Sequence, residues 1–107
     1  MSVGLEFTSI VDREGAACYM LHRGTVSDSR MFERLRQEIS KNTDHQVVVV
    51  DARTTDGERI RDFYDIMPEQ LPVVLIIRDD DSVAQLWSGS EIPGADMIAY
   101  QLKQISS

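Results

Sequence analysis

The chain has 107 residues, 42% hydrophobic and 27% charged, with a formal net charge of −7 and a sequence pI of about 4.6. That size and mix predict one folded domain over residues 1–107, with enough apolar surface for a core and too much to stay disordered. The acidity argues against a nucleic-acid backbone or an anionic membrane as the main partner.

At the N-terminus two periodicities compete. Val3, Leu5 and Phe7 alternate like an edge strand, while Phe7, Ile10 and Val11 space like one face of a short helix. A turn is expected over Asp12 to Gly15. Ala16 to His22 then reads as a strand, with Ala17, Tyr19 and Leu21 on one face and Ala16, Cys18, Met20 and His22 on the other. Cys18, the single cysteine, has no intramolecular disulfide partner, and mid-strand it is expected to be core.

From Gly24 to Ser40 the pattern turns helical. Thr25 and Asp28 have capping-box-like spacing, and Ser27, Asp28 and Ser29 are further N-cap candidates. Met31, Leu35 and Ile39, with Phe32 beside them, form the expected core stripe; Arg30, Glu33, Arg34, Arg36 and Glu38 are expected in solvent. After the polar loop Lys41 to Gln46, the run Val47 to Val50 reads as a buried parallel strand ending at Asp51. Thr55 and Glu58 repeat the capping-box spacing, and Ile60, Phe63 and Tyr64 give the next helix its apolar face.

The stretch that organises the chain follows. Pro72 introduces Val73 to Ile77, an aliphatic run too short for a membrane span and too apolar for a half-exposed strand, so it is expected at the centre of a sheet. Arg78 and the triplet Asp79, Asp80, Asp81 stop it, and Val83 to Trp87 returns antiparallel as a more exposed neighbour. Beyond Gly89, the stretch Ser90 to Gly94 reads as a loop, and Met97, Ile98, Leu102 and Ile105 mark a last amphipathic helix.

This order of elements resembles the second half of a thioredoxin: an apolar strand closing at Asp51, a helix ending near Tyr64, Leu71–Pro72 before an apolar strand, an acidic turn, a strand, Gly89 and a final helix. The resemblance implies a thioredoxin-like three-layer α/β/α sandwich around a mixed sheet of about four strands, with Pro72 at the family's cis-proline position, and it favours the helix near the N-terminus. It also implies that the strand-to-helix junction matches the family's WCxxC. Thr25, Val26, Ser27, Asp28 and Ser29 stand there, and neither cysteine is present. Dithiol exchange needs a nucleophilic and a resolving sulfur, and serine replaces neither. Val73 also departs from the family's usual threonine, and the connection Met67 to Gln70 is slightly longer.

Other chemistry finds little support. His22 and His45, without a second cysteine or spaced carboxylates, do not make a zinc site. Asp79 to Asp81 lacks calcium-loop spacing and reads as a solvated turn; Asp51 reads as structural. No GxGxxG or Gly-rich lysine loop is present, and no cofactor is expected. Trp87 is expected to pack on the last helix, or to anchor a partner if half exposed.

Three functions follow. The first is a redox-inactive thioredoxin-like module that binds another protein or peptide through Thr25, Val26, Ser27, Asp28, Ser29, Leu71, Pro72 and Gly89, or a second copy of itself through an exposed strand edge or the Trp87 face. The second is an enzyme or carrier that binds a small thiol such as glutathione at the helix N-terminus, against which the Asp28 carboxylate would compete for the same N–H groups. The third is a one-cysteine redox protein using Cys18. With no leader-like segment or long apolar span, residence in the cytoplasm is expected.

Overall fold

The computed structural model describes residues 15–106. The elements are β1 (Ala17–His22), α1 (Val26–Ser40), β2 (Gln46–Asp51), α2 (Thr55–Tyr64), β3 (Val73–Ile77), β4 (Val83–Ser88) and α3 (Ala95–Ser106). The alternatives for residues 3–11, and all of the expected Asp12 to Gly15 turn except Gly15, lie outside the described residues.

The four described strands form one mixed sheet in the order β2-β1-β3-β4. β1 runs parallel to β2 and antiparallel to β3, and β3 and β4 make the expected hairpin, with a register irregularity between Ile76 and Ile77. Every residue of β1 and β3 is buried, as unbroken apolar strands covered on both faces must be. Alternation splits the core in two. Ala17, Tyr19, Leu21, Val73, Leu75 and Ile77 meet Ile60 of α2, whereas Cys18, Met20, Val74 and Ile76 meet Phe32 and Ile39 of α1 and Ile98 and Leu102 of α3. Among the described elements, one helix on one face and two on the other give the three layers.

Several local readings need correction. β2 is not fully buried: among the described strands it lies at the sheet's edge, and Val47, Val48 and Val49 are only partly covered. In α1 the buried stripe is Asp28, Phe32 and Ile39, not one led by Met31, which is 38% exposed. Met97 and Phe63 are likewise exposed, Phe63 lying edge-on to Tyr64 at 4.8 Å between ring centroids. The cap of α2 is Thr54, one residue earlier than expected: its hydroxyl accepts from the Gly57 N–H at 3.1 Å and donates to the Asp51 carbonyl at 2.7 Å. One-turn 3-10 segments at Pro68–Gln70 and Gly89–Glu91 occupy parts of the expected connections.

Candidate functional site

The sheet register gathers the site residues at one end. Leu21 of β1 lies opposite Val73 of β3, so the exit of β1 toward Thr25 and the entry to β3 through Leu71 and Pro72 share that end. Val73 is also opposite Ser88, which brings the close of β4 there. The Gly89 N–H donates to the Pro72 carbonyl at 2.9 Å, and the Ser88 hydroxyl donates to the Gln70 carbonyl. Gly89 makes this turn at φ +57, in the left-handed region that glycine enters without a side-chain penalty. The Leu71–Pro72 peptide bond is cis.

The turn from β1 into α1 is built by hydrogen bonds from its own residues. The Gly24 N–H donates to His22 Nδ1 at 2.9 Å, with Gly24 at φ +89. Thr25 caps α1, its hydroxyl accepting from the Asp28 N–H at 3.1 Å. The other half of a capping box is missing, because the Asp28 carboxylate turns out of the helix. It accepts from the Arg23 backbone N–H at 3.2 Å, from Nε at 2.8 Å and from Nη2 at 2.9 Å. The hydrogen-bonded Arg23 guanidinium holds the Asp28 carboxyl below the ordinary carboxylate range, against the opposing effect of burial. Asp28 therefore stabilises the turn, and the expected competition with an anion for the helix N–H groups is corrected: its oxygens are taken up by Arg23.

The eight expected groove residues fall into three classes. Asp28 and Pro72 are buried and present little side-chain surface, while Ser29, Leu71 and Gly89 are partly covered. Thr25, Val26 and Ser27 are exposed, Val26 at 66%. Val26 and Ser27 also begin a shallow depression whose other lining residues are Arg30, Met31 and Arg34. These three were not singled out from the sequence as binding residues. Their signal lies in the order of charges on α1: a glutamate pairs best with a cation to its C-terminal side. Glu33 pairs with Arg36 and Glu38 with Lys41, and among the described residues the arginines that precede them, Arg30 and Arg34, are matched to no acid.

Cys18 is fully buried in mid-strand, and burial pushes its thiol pKa up to about 12. Asp51 accepts from the Arg53 backbone N–H at 2.9 Å and from its guanidinium at 2.9 and 3.2 Å; that contact lowers its pKa to about 2. Asp80 accepts from the backbone and hydroxyl of Ser82, closing the acidic turn. Among the described residues no group of three or more histidine, cysteine or acidic side chains is placed to hold a metal ion, and no helix is long and apolar enough to cross a membrane. Trp87 is half-buried against the core cluster that contains Ile98 and Leu102 of α3.

No protein-family model and no curated protein sequence matches the chain. Solved structures do. Oxidised thioredoxin from Plasmodium falciparum superposes with a TM-score of 0.67 at 13% identity, covering 96% of this chain and 92% of that one. Oxidised thioredoxin O2 from Arabidopsis thaliana gives 0.66 at 10% identity, covering 97% and 86%. Trichomonas vaginalis thioredoxin gives 0.56 at 14% identity, covering 97% and 91%. At these identities the likeness is one of fold. The chain has a thioredoxin-like fold with a single cysteine and no CxxC.

Proposed function

We propose that this thioredoxin-fold chain is a redox-inactive cytoplasmic module that binds another protein or peptide at the sheet end formed by Thr25 to Ser29, Leu71, Pro72 and Gly89. The observation that carries the reading is the pairing of an exposed apolar side chain, Val26 at 66%, with a junction that holds no sulfur. A hydrophobic residue on a turn fixed by the Thr25 cap and the Arg23–Asp28 pair is already ordered for contact, so little conformational entropy is lost on docking.

Chemistry through Cys18 weighs less. At neutral pH a buried thiol with a pKa of about 12 supplies almost no thiolate, the form that attacks a disulfide. The test is a binding assay with the full chain as bait, comparing the parent with Val26→Asp and Leu71→Ala. Both variants should keep the parent's circular dichroism and weaken partner capture at least about tenfold, the scale on which central apolar anchors act. Unchanged capture by both variants removes this end of the sheet as the binding site.

A further inference from the structure

We propose that the exposed face of the first turns of α1, from Val26 through Arg30 and Met31 to Arg34, docks an acidic peptide segment whose carboxylates pair with the two arginines and whose apolar side chain lies against Val26 and Met31. This rests on the peptide-binding reading above and adds the chemistry of the partner.

Arg30 and Arg34 are one helical turn apart, about 6 Å along the axis, on the same side of α1. Both are exposed and both line the depression with Val26 and Met31. Neither forms an ion pair among the described residues, whereas Arg23, Arg36 and Lys41, in the same turn or helix, are each matched to an acid. Two guanidinium groups with no acid partner among the described residues thus stand beside two exposed apolar side chains in a chain of net charge −7.

The acids nearest these arginines on α1, Glu33 and Glu38, are engaged by Arg36 and Lys41, and the other acids lie farther away. Asp79 and Asp80 follow the far end of β3, roughly 16 Å from Val73 for five extended residues. Asp56, Glu58 and Asp62 belong to α2, on the other face of the sheet from α1. Exposed charges are screened over about 8 Å at physiological ionic strength, so an approaching ligand meets the arginines first. Guanidinium groups match carboxylates with paired hydrogen bonds. A polyphosphate backbone fits less well, because it draws on a long basic stripe and has no use for Val26 and Met31. Exposed ion pairs contribute little affinity, so the apolar contact supplies most of the binding and the arginines select the sign of the partner.

The test is selection of a random twelve-residue peptide display library against the full chain, followed by affinity measurements on Arg30→Glu/Arg34→Glu and on Val26→Asp. Both arginines are exposed, so the double variant should keep the parent's melting temperature. Enriched peptides are expected to carry at least two Asp or Glu near an apolar residue, to bind the double variant at least about tenfold more weakly, and to weaken severalfold between about 50 and about 300 mM NaCl. Enrichment of neutral or basic peptides that lose binding on Val26→Asp overturns the acidic partner and leaves the groove in place. Acidic peptides that bind the double variant as well as the parent overturn it too. If no peptide enriches, the groove and its acidic ligand fall together.

Discussion

The Asp28 carboxylate, on the buried stripe of α1, closes a three-contact clasp on Arg23 five residues earlier, between the end of β1 and the first turn of α1. The partners are unequal: the Asp28 side chain is 6% exposed and that of Arg23 55%. Removing Arg23 leaves a carboxylate in the wall of the core without its main donor. Removing Asp28 leaves a cation that water can solvate.

Arg23→Met should therefore be more destabilising than Asp28→Asn at neutral pH. The pH dependence follows from the lowered Asp28 pKa. A carboxyl more acidic folded than unfolded contributes stability that is fully present above the ordinary carboxylate range and is lost as pH falls through its lowered folded value. The melting-temperature gap between parent and Arg23→Met should be widest near neutrality and narrow below about pH 4. A gap constant from pH 7 to pH 3, followed by scanning calorimetry, contradicts the clasp.

Cys18 should behave as an opening reporter. With a thiol pKa of about 12 against an ordinary 9.0, its thiolate fraction at neutral pH is lower by about a thousandfold, and burial blocks reagent as well. Native labelling by a thiol reagent should run at the rate set by unfolding and become immediate in denaturant. Fast native labelling would contradict the buried position and return one-cysteine redox chemistry to consideration.

Gly57 sits in the first turn of α2 against the end of β2. A Cβ there would meet the Ala52 Cα at 2.6 Å and run into the Asp51 carbonyl oxygen, both of them backbone. Alanine gains about 1 kcal/mol of helix propensity over glycine, but overpacking against backbone costs about 1–3 kcal/mol. The clash should win. Gly57→Ala should lower the urea midpoint with little change in m-value; a raised midpoint would mean that the helix shifts freely on β2.

The sheet was the legible part of the sequence, and the helix faces were not. Val73 to Ile77 and Ala16 to His22 could be read because burial on both faces leaves no room for a polar residue, and a period of two assigns each side chain to a face. Met31 and Phe32 are adjacent and about 100° apart around α1, so spacing alone did not decide which of them turns inward. Thr54 and Thr55 are chemically equal caps, and only the approach of Asp51 selects the first. The position of β2 at the sheet's described edge depends on neighbours that its four valines cannot encode. At the candidate site, the resemblance located the junction at Thr25 to Ser29, but Arg23 was not singled out because its partner lies across a turn, outside helical spacing. Arg30 and Arg34 were passed over because Glu33 and Glu38 stood close enough to pair with them.

The Tyr64 hydroxyl donates to the Asp81 carbonyl at 3.0 Å and ties the end of α2 to the turn between β3 and β4, at the opposite end of β3 from Pro72. Asp81 holds φ +70, a left-handed conformation that a non-glycine residue keeps only when its surroundings favour it. Tyr64→Phe removes the donor and keeps the ring, so its expected cost is that of one neutral hydrogen bond, about 0.5–1.5 kcal/mol. Asp81→Gly removes the left-handed penalty and should restore part of that loss in the Tyr64→Phe background. Because the site lies at the other end of the sheet, Tyr64→Phe should lower the melting temperature and leave peptide affinity at Val26 unchanged. An affinity change as large as the one caused by Val26→Asp would show that the two ends of β3 are coupled, and the site could then no longer be described by its local residues.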